Sequence, residues 1–341
     1  MKVIRVHESG RYALDDVPEP VAGPNDVIVR VGACGVCGSD VHFVRHGWRQ
    51  PNGDPMPLGH EAAGVVETVG SAVTGVSAGQ RVFINPMLST GDEVIGNGGR
   101  DGAFAARVLV RSVVAGESLL PLPDGISLSE AALVEPLAVG MHGINRGNPT
   151  KSTKAAVFGC GPIGLAGVLW LARRGVANVV AIDISDKRLE YARKMGAHAT
   201  INPLREDLFE RLRELHGEGR PALGKPTVGT DVFYDMAGGK TVLSGIIAMG
   251  QLHSRLVISA VYPEPVALDL TDLLGREMEV TTACGYPTEL KAVLAELPNV
   301  PKDVLAAYVS HTFPFEQFDE AFAASQLPES AKVMVTFGAP A

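Results

Sequence analysis

Lys154-Ala155-Ala156-Val157-Phe158-Gly159-Cys160-Gly161-Pro162-Ile163-Gly164 decides how this 341-residue chain is read. Its first five residues, mostly apolar and free of turn formers, have the pattern of a short buried strand. The run then breaks into three glycines spaced G-x-G-x-x-G and continues as an apolar helix to about Arg174. A second apolar run, Val179-Val180-Ala181-Ile182, ends on Asp183. Three glycines alone carry little weight. A glycine turn that leaves a strand, opens a helix and meets an acid about twenty residues on is the fingerprint of a dinucleotide site. Gly159 permits the tight turn, Gly161 admits backbone to a pyrophosphate, and Gly164 lets helix and sheet close up. The helix start at Pro162 and Ile163 turns its positive end toward the phosphates.

Asp183 is placed to hold the adenosine ribose hydroxyls, which selects NAD. A 2′-phosphate 4 Å from that carboxylate would be repelled by ~1 kcal/mol per charge pair in water and ~4 kcal/mol near a protein surface. Lys187 and Arg188 are the cations that would receive such a phosphate, so Arg188 joins the nucleotide set and NADP stays open. Beyond Asp183 the pattern alternates. A helix is expected over 186–195, a strand over 199–202 and a helix over 205–216. After a Gly/Pro-rich loop come strand 231–235, helix 240–248, strand 255–259 and a sixth strand at 280–283. Strand–helix alternation of this kind builds a doubly wound parallel sheet. Helix 289–297, strand 307–313, helix 315–325 and strand 332–337 complete the chain.

The first third reads differently. Short β-branched runs at 27–31, 64–70, 73–76 and 80–84, parted by glycine turns, predict a small β-barrel. Its loops carry Cys37-Gly38-Ser39-Asp40-Val41-His42 and Gly59-His60-Glu61. Thiolate, imidazole and carboxylate together suit Zn²⁺. With one thiol and one histidine converging, the site keeps a position open, as catalytic zinc does. Cys34-x-x-Cys37 has no second CxxC to make a zinc ribbon and no thioredoxin-like surroundings to make a redox pair. Farther on, Glu135 stands alone in the apolar run 131–139, and a buried carboxylate needs a partner. A metal or its bound water would serve.

Composition bounds the rest. The chain is 46% hydrophobic and 20% charged, with net charge −8 and no basic stripe, which argues against nucleic acid. No apolar signal segment opens it, and the most apolar stretch, 163–172, is too short to cross a bilayer. Four cysteines in a chain this long are no disulfide scaffold. A cytoplasmic, reducing setting is expected.

Gly59-His60-Glu61-x-x-Gly64, with Gly70 and Val73 beyond it, resembles the zinc signature of the medium-chain alcohol dehydrogenases, and Cys37-Gly38-Ser39-Asp40 their first-ligand segment. The resemblance spans essentially the full chain and is nearest the polyol branch, the sorbitol and L-idonate dehydrogenases. It implies an α/β protein: a GroES-like β-barrel catalytic domain (1–148 and 285–341) around a Rossmann NAD-binding domain (149–284). Zinc and nicotinamide would meet in the cleft. Carried over, Cys37 and His60 are ligands, and Glu61 and Glu135 are carboxylates either of which ligates or acts on bound water. Neighbours on an extended chain point opposite ways, so His60 and Glu61 share an ion only where the backbone turns.

The implied reaction takes a secondary alcohol to its ketone. Zinc lowers the pKa of a bound hydroxyl, hydride passes to NAD, and the proton leaves through Ser39 and His42. Many relatives hold a second, structural zinc with four cysteines in the loop that falls here at 85–102. That loop has no cysteine, so one catalytic zinc per subunit is expected; the loop itself reads as plain surface, or as a subunit contact or pocket wall. A homodimer or homotetramer is implied. Polyol members carry Tyr where Phe43 stands, and an Arg-Tyr pair aligned with Thr282-Ala283. Fewer polar groups predict a less hydroxylated secondary alcohol, with an apolar part against Phe43 and Trp48. Lys332 reads as a pyrophosphate contact or a solvated lysine. The rival readings are a zinc-free quinone or enone reductase and a non-catalytic NAD-binding protein on the same fold.

Overall fold

A computed structural model describes residues 1–50, 52–87 and 94–338. Part of the loop 85–102, residues 88–93, lies outside the described residues. The Gly159 turn sits where the chain pattern puts it. Strand Lys154–Phe158 enters it and helix Pro162–Arg173 leaves it. Around that strand lies a six-stranded, wholly parallel sheet. Its spatial order is Ala199–Ile201, Asn178–Ile182, Lys154–Phe158, Val232–Asp235, Arg255–Ile258, Glu279–Thr282. The order reverses beside Lys154–Phe158, and the crevice beyond the carboxyl ends of these strands is where such sheets bind ligands.

The rest of the chain forms two further sheets. Lys2–Glu8 pairs with Arg11–Asp16 and with Met56–Pro57. A seven-stranded mixed sheet is built on Val27–Val36, which pairs with Glu61–Val69, Arg107–Val110 and the late strand Lys332–Thr336. Apolar side chains from these strands fill one core, among them Val29, Val31, Met56, Val66, Val108 and Val335. The C-terminal strand thus returns to the sheet that the N-terminal residues began.

Two local expectations change, and Glu135 finds its place. Residues 73–76 form no strand; the chain makes turns between Glu61–Val69 and Arg81–Ile84. Helix Lys302–Tyr308, set behind Pro301, occupies the start of what reads as strand 307–313, and the strand is Val309–Pro314. Glu135 lies in the first turn of helix Val134–Gly147, whose buried face meets helix Pro162–Arg173. No described helix is long and apolar enough to cross a membrane.

Candidate active site

Cys37 is the N-cap of helix Gly38–His46, and its backbone N–H donates to Asp40 Oδ2 at 2.9 Å. The other Asp40 oxygen accepts from Gly59 N at 3.3 Å and stands 3.8 Å from His60 Nδ1. One buried carboxylate therefore stitches the two segments together. Gly59 has φ +94°, and a Cβ there would lie 2.6 Å from Phe104 N. Only glycine makes this turn without strain. Because of it, His60 leaves the line of the strand that starts at Glu61, and the two neighbours do not diverge. Gly35 stands opposite Glu61 in the sheet, where a Cβ would lie 2.0 Å from Glu61 Oε2. Its missing side chain is the space the carboxylate fills.

As a result Cys37 Sγ, a His60 ring nitrogen and a Glu61 oxygen lie within 4.8 Å of one another. Ligands at about 2.0–2.3 Å on a tetrahedral ion sit roughly 3.5 Å apart, so small side-chain shifts close this trio on zinc. Soft sulfur, imidazole and carboxylate match that ion. Glu135 faces the trio from the neighbouring helix. Burial, with the charges of Glu61 and Cys37, pushes its carboxyl up to about 8, against a smaller opposing pull from His60. The same burial, with Glu61, pushes the Cys37 thiol up to about 11. These shifts belong to the metal-free molecule; a cation among the groups would favour their charged forms.

Lys332 corrects its sequence reading. It is 1% exposed, and neither solvated nor set on a phosphate. Its Nζ donates to Glu61 Oε1 and Oε2 at 2.6 and 2.7 Å and to the Val36 carbonyl at 3.1 Å. Burial alone would lower its pKa, but Glu61, Cys37 and Glu135 outweigh that and raise it.

Sequence reasoning also missed two tyrosines. Tyr286 turns its phenol to Glu135, and burial together with that carboxylate drives the phenol far above its ordinary range. Tyr308 is buried near Glu61 and Glu135 and donates to the Pro162 carbonyl at 2.8 Å, joining the metal side to the glycine turn. The Arg-Tyr pair aligned with Thr282-Ala283 is absent there, yet a tyrosine hydroxyl reaches the site from Tyr286. A cavity of ≈ 880 Å³ opens beside Glu135 and Tyr286, with Asn97, Leu120 and Leu290 among its walls.

Of the remaining expected residues, Ser39 Oγ is buried beside the Cys37 sulfur and makes no other hydrogen bond to a described residue. His42 is exposed and lies against His46, their rings 4.2 Å apart and tilted by 33°. Phe43 meets Trp48 edge to face at 5.5 Å, and Trp48 is half exposed. Gly98 packs toward Trp48 while Gly96 of the same loop packs on His60.

At the nucleotide turn the glycines differ in what a side chain would meet. A Cβ on Gly159 would lie 2.8 Å from Ala237 backbone and one on Gly164 1.8 Å from the Gly159 carbonyl. One on Gly161 would meet no protein atom within 4 Å. Asp183 accepts from Cys160 N at 2.6 Å and Ser185 N at 2.8 Å, which fixes its carboxylate against the turn. Arg188 lies nearby, but its Nε donates to the Ser330 carbonyl at 3.0 Å and one Nη to that of Leu327 at 3.5 Å. Lys187 is exposed and paired with Glu190.

Comparison with known proteins agrees with this layout. Residues 23–124 match the alcohol dehydrogenase GroES-like domain and residues 162–299 the zinc-binding dehydrogenase family. Rat (Rattus norvegicus) sorbitol dehydrogenase is 32% identical over 97% of this chain and 94% of its own. The crystal structure of 2R,3R-butanediol dehydrogenase from Bacillus subtilis superposes with a TM-score of 0.87 at 27% identity, covering 98% of this chain and 99% of the other. A zinc-binding dehydrogenase structure from Sinorhizobium meliloti 1021, bound to NADP, is similar at a TM-score of 0.85 and 26% identity over 98% of each chain. By these matches the chain is an oxidoreductase of the zinc-dependent medium-chain alcohol dehydrogenase family, in its polyol branch, built from a GroES-like domain and a Rossmann-type sheet.

Proposed function

We propose that this chain interconverts a small secondary alcohol and its ketone, with NAD as the hydride carrier and one zinc ion per chain. The observation that carries the reading is the Cys37–His60–Glu61 trio with Glu135 across from it. Cys37, His60 and Glu61 would hold the ion, and Glu135 would face the side left for water or substrate. When bound, zinc supplies a Lewis acid that lowers the pKa of a hydroxyl, and nicotinamide supplies the hydride acceptor. Asp40 orients both ligand segments. With Nδ1 of His60 on the Asp40 side, Nε2 is left for the ion. Lys332 donates to both Glu61 oxygens and offsets the charge of that carboxylate. Ser39 Oγ, buried beside Cys37 without another partner, is available to take the alcohol proton and pass it toward exposed His42. We assign nucleotide binding to residues 149–284 and the metal and alcohol to 1–148 and 285–341.

Two observations support NAD over NADP. Asp183 is held by Cys160 N and Ser185 N at the end of strand Asn178–Ile182, where its charge would oppose a 2′-phosphate, and Arg188 is already engaged with two carbonyls. For the alcohol, Tyr286 offers one hydroxyl, while Phe43 of helix Gly38–His46 and Trp48 just beyond it form an apolar pair, Trp48 lying near Gly98 of the loop that backs His60. The sorbitol and butanediol dehydrogenases point the same way, so a diol or short polyol fits best. The test is NADH absorbance with a panel of diols, polyols and simple secondary alcohols, with and without chelator. Turnover of a diol that chelator abolishes supports the reading; turnover untouched by chelator sinks it.

A further inference from the structure

Two helical turns beyond Glu135, the same helix holds a second acid from the return segment. Glu289 is 4% exposed. Its Oε1 accepts from His142 Nδ1 at 3.0 Å and Asn145 Nδ2 at 2.8 Å, and its Oε2 from Thr288 N at 3.0 Å. Both side-chain donors lie on helix Val134–Gly147, and Glu289 opens helix Glu289–Glu296, which packs against it. Three residues earlier, Tyr286 faces Glu135.

The spacings match. Positions 135 and 142 are seven residues apart, on one helix face and about 10.5 Å along its axis. From 286 to 289 an extended chain reaches ~10 Å. The segment 286–289 is therefore tied to one helix face at both ends. Residues 283–288 form no helix or strand of their own. They also make one wall of the cavity beside Glu135.

We infer that Glu289 is a positioning residue for the alcohol site: by gripping His142 and Asn145 it fixes where the Tyr286 hydroxyl stands relative to Glu135 and the cavity. The inference rests on the dehydrogenase reading above. It goes beyond a cap on a helix end, because the carboxylate reaches across to a second helix that carries a site residue.

The test is a double-mutant cycle on the full enzyme, read as KM and kcat for the best diol, with zinc content and NAD affinity measured in parallel. Glu289→Ala should raise KM about tenfold, the loss of one well-placed hydrogen bond to substrate, with kcat much less affected. Zinc content and NAD affinity should match wild type. In a Tyr286→Phe background the same change should add nothing further to KM, because the group it positions is gone. Asn145→Ala, which removes one donor, should give a smaller rise that also vanishes in that background, and it carries the cycle if Glu289→Ala does not fold. A wild-type KM in Glu289→Ala, or a full additive rise in the double variant, overturns the positioning role alone. Wild type that oxidises no secondary alcohol overturns the dehydrogenase reading, and this inference with it.

Discussion

Replacing Lys332 by methionine removes the cation paired with Glu61 and keeps nearly the same volume. Lys332 is 1% exposed and Glu61 fully buried, so water cannot take the ammonium's place. Breaking a buried ion pair from one side typically costs ~3–5 kcal/mol, mostly the penalty of an orphaned charge. The neighbours do not relieve the orphan: burial pushes the Cys37 thiol up to about 11 and the Glu135 carboxyl up to about 8, so both are neutral at the assay pH and neither supplies a cation. With ~2.1 cal/mol/K of unfolding entropy per residue, the loss is a fall in Tm of roughly 4–7 °C if the chain melts as one unit. The raised pKa of Lys332 means that this contribution is fully present below its ordinary 10.5 and is lost only at higher pH. Zinc brings positive charge back to the cluster, so the penalty should shrink in the metal-loaded enzyme. The assay is thermal unfolding by circular dichroism at neutral pH, for both proteins, chelated and zinc-loaded. A chelated Lys332→Met variant that melts with wild type would show that the ammonium does not hold the Glu61 charge.

Other perturbations separate the roles assigned to individual residues. Gly161→Ala should fold and melt like wild type yet bind NAD at least tenfold more weakly, because the added methyl fills the pyrophosphate's space and no protein atom's. Gly164→Ala should instead fail to accumulate as folded protein, since its Cβ has only the Gly159 carbonyl to occupy; nucleotide titration beside a melting curve distinguishes the two. Asp183→Ser should weaken NAD and narrow the gap to NADP, as competitive titration of both nucleotides would record; an unchanged preference would remove Asp183 from that role. In the chelated protein, Glu135 is raised in the fold from its ordinary 4.5 to about 8. The folded state then holds the proton more tightly, so stability should fall as pH climbs from about 4.5 to 8. Glu135→Gln should flatten that slope, measured as denaturant midpoint against pH.

Much of the fold was legible because its signals are local. The Gly159–Gly164 turn, the alternating strands and helices, and Asp183 at a strand end each sit within a short window, and the parallel sheet follows from them. The convergence of Cys37, His60 and Glu61 was legible for the same reason, down to the need for the backbone to turn there, which it does at Gly59. Partners drawn from far along the chain were not. Lys332 finds Glu61 across 271 positions of sequence, and nothing near it names that acid. The usable signal was a lysine inside the apolar run Ala331-Lys332-Val333-Met334-Val335, which asks for a buried counter-charge. Tyr286 escaped because the Arg-Tyr pair of the polyol members aligns with Thr282-Ala283, and Tyr286 stands three residues beyond Ala283. That strand end is instead tied to Arg146 through the Thr282 carbonyl. Gly35 is a quieter lesson: its value lies in the carboxylate it makes room for on the next strand, which no sequence window contains.

In the proposed site, Cys37, His60 and a carboxylate grip one zinc ion beside a nicotinamide crevice. Elemental analysis of the purified wild type and of Cys37→Ser, alongside NADH formation from a diol, tests it most directly. Wild type should carry about one zinc per chain, and the variant should lose the metal and the turnover together while still binding NAD. A Cys37→Ser protein that keeps both its zinc and its turnover would contradict the account.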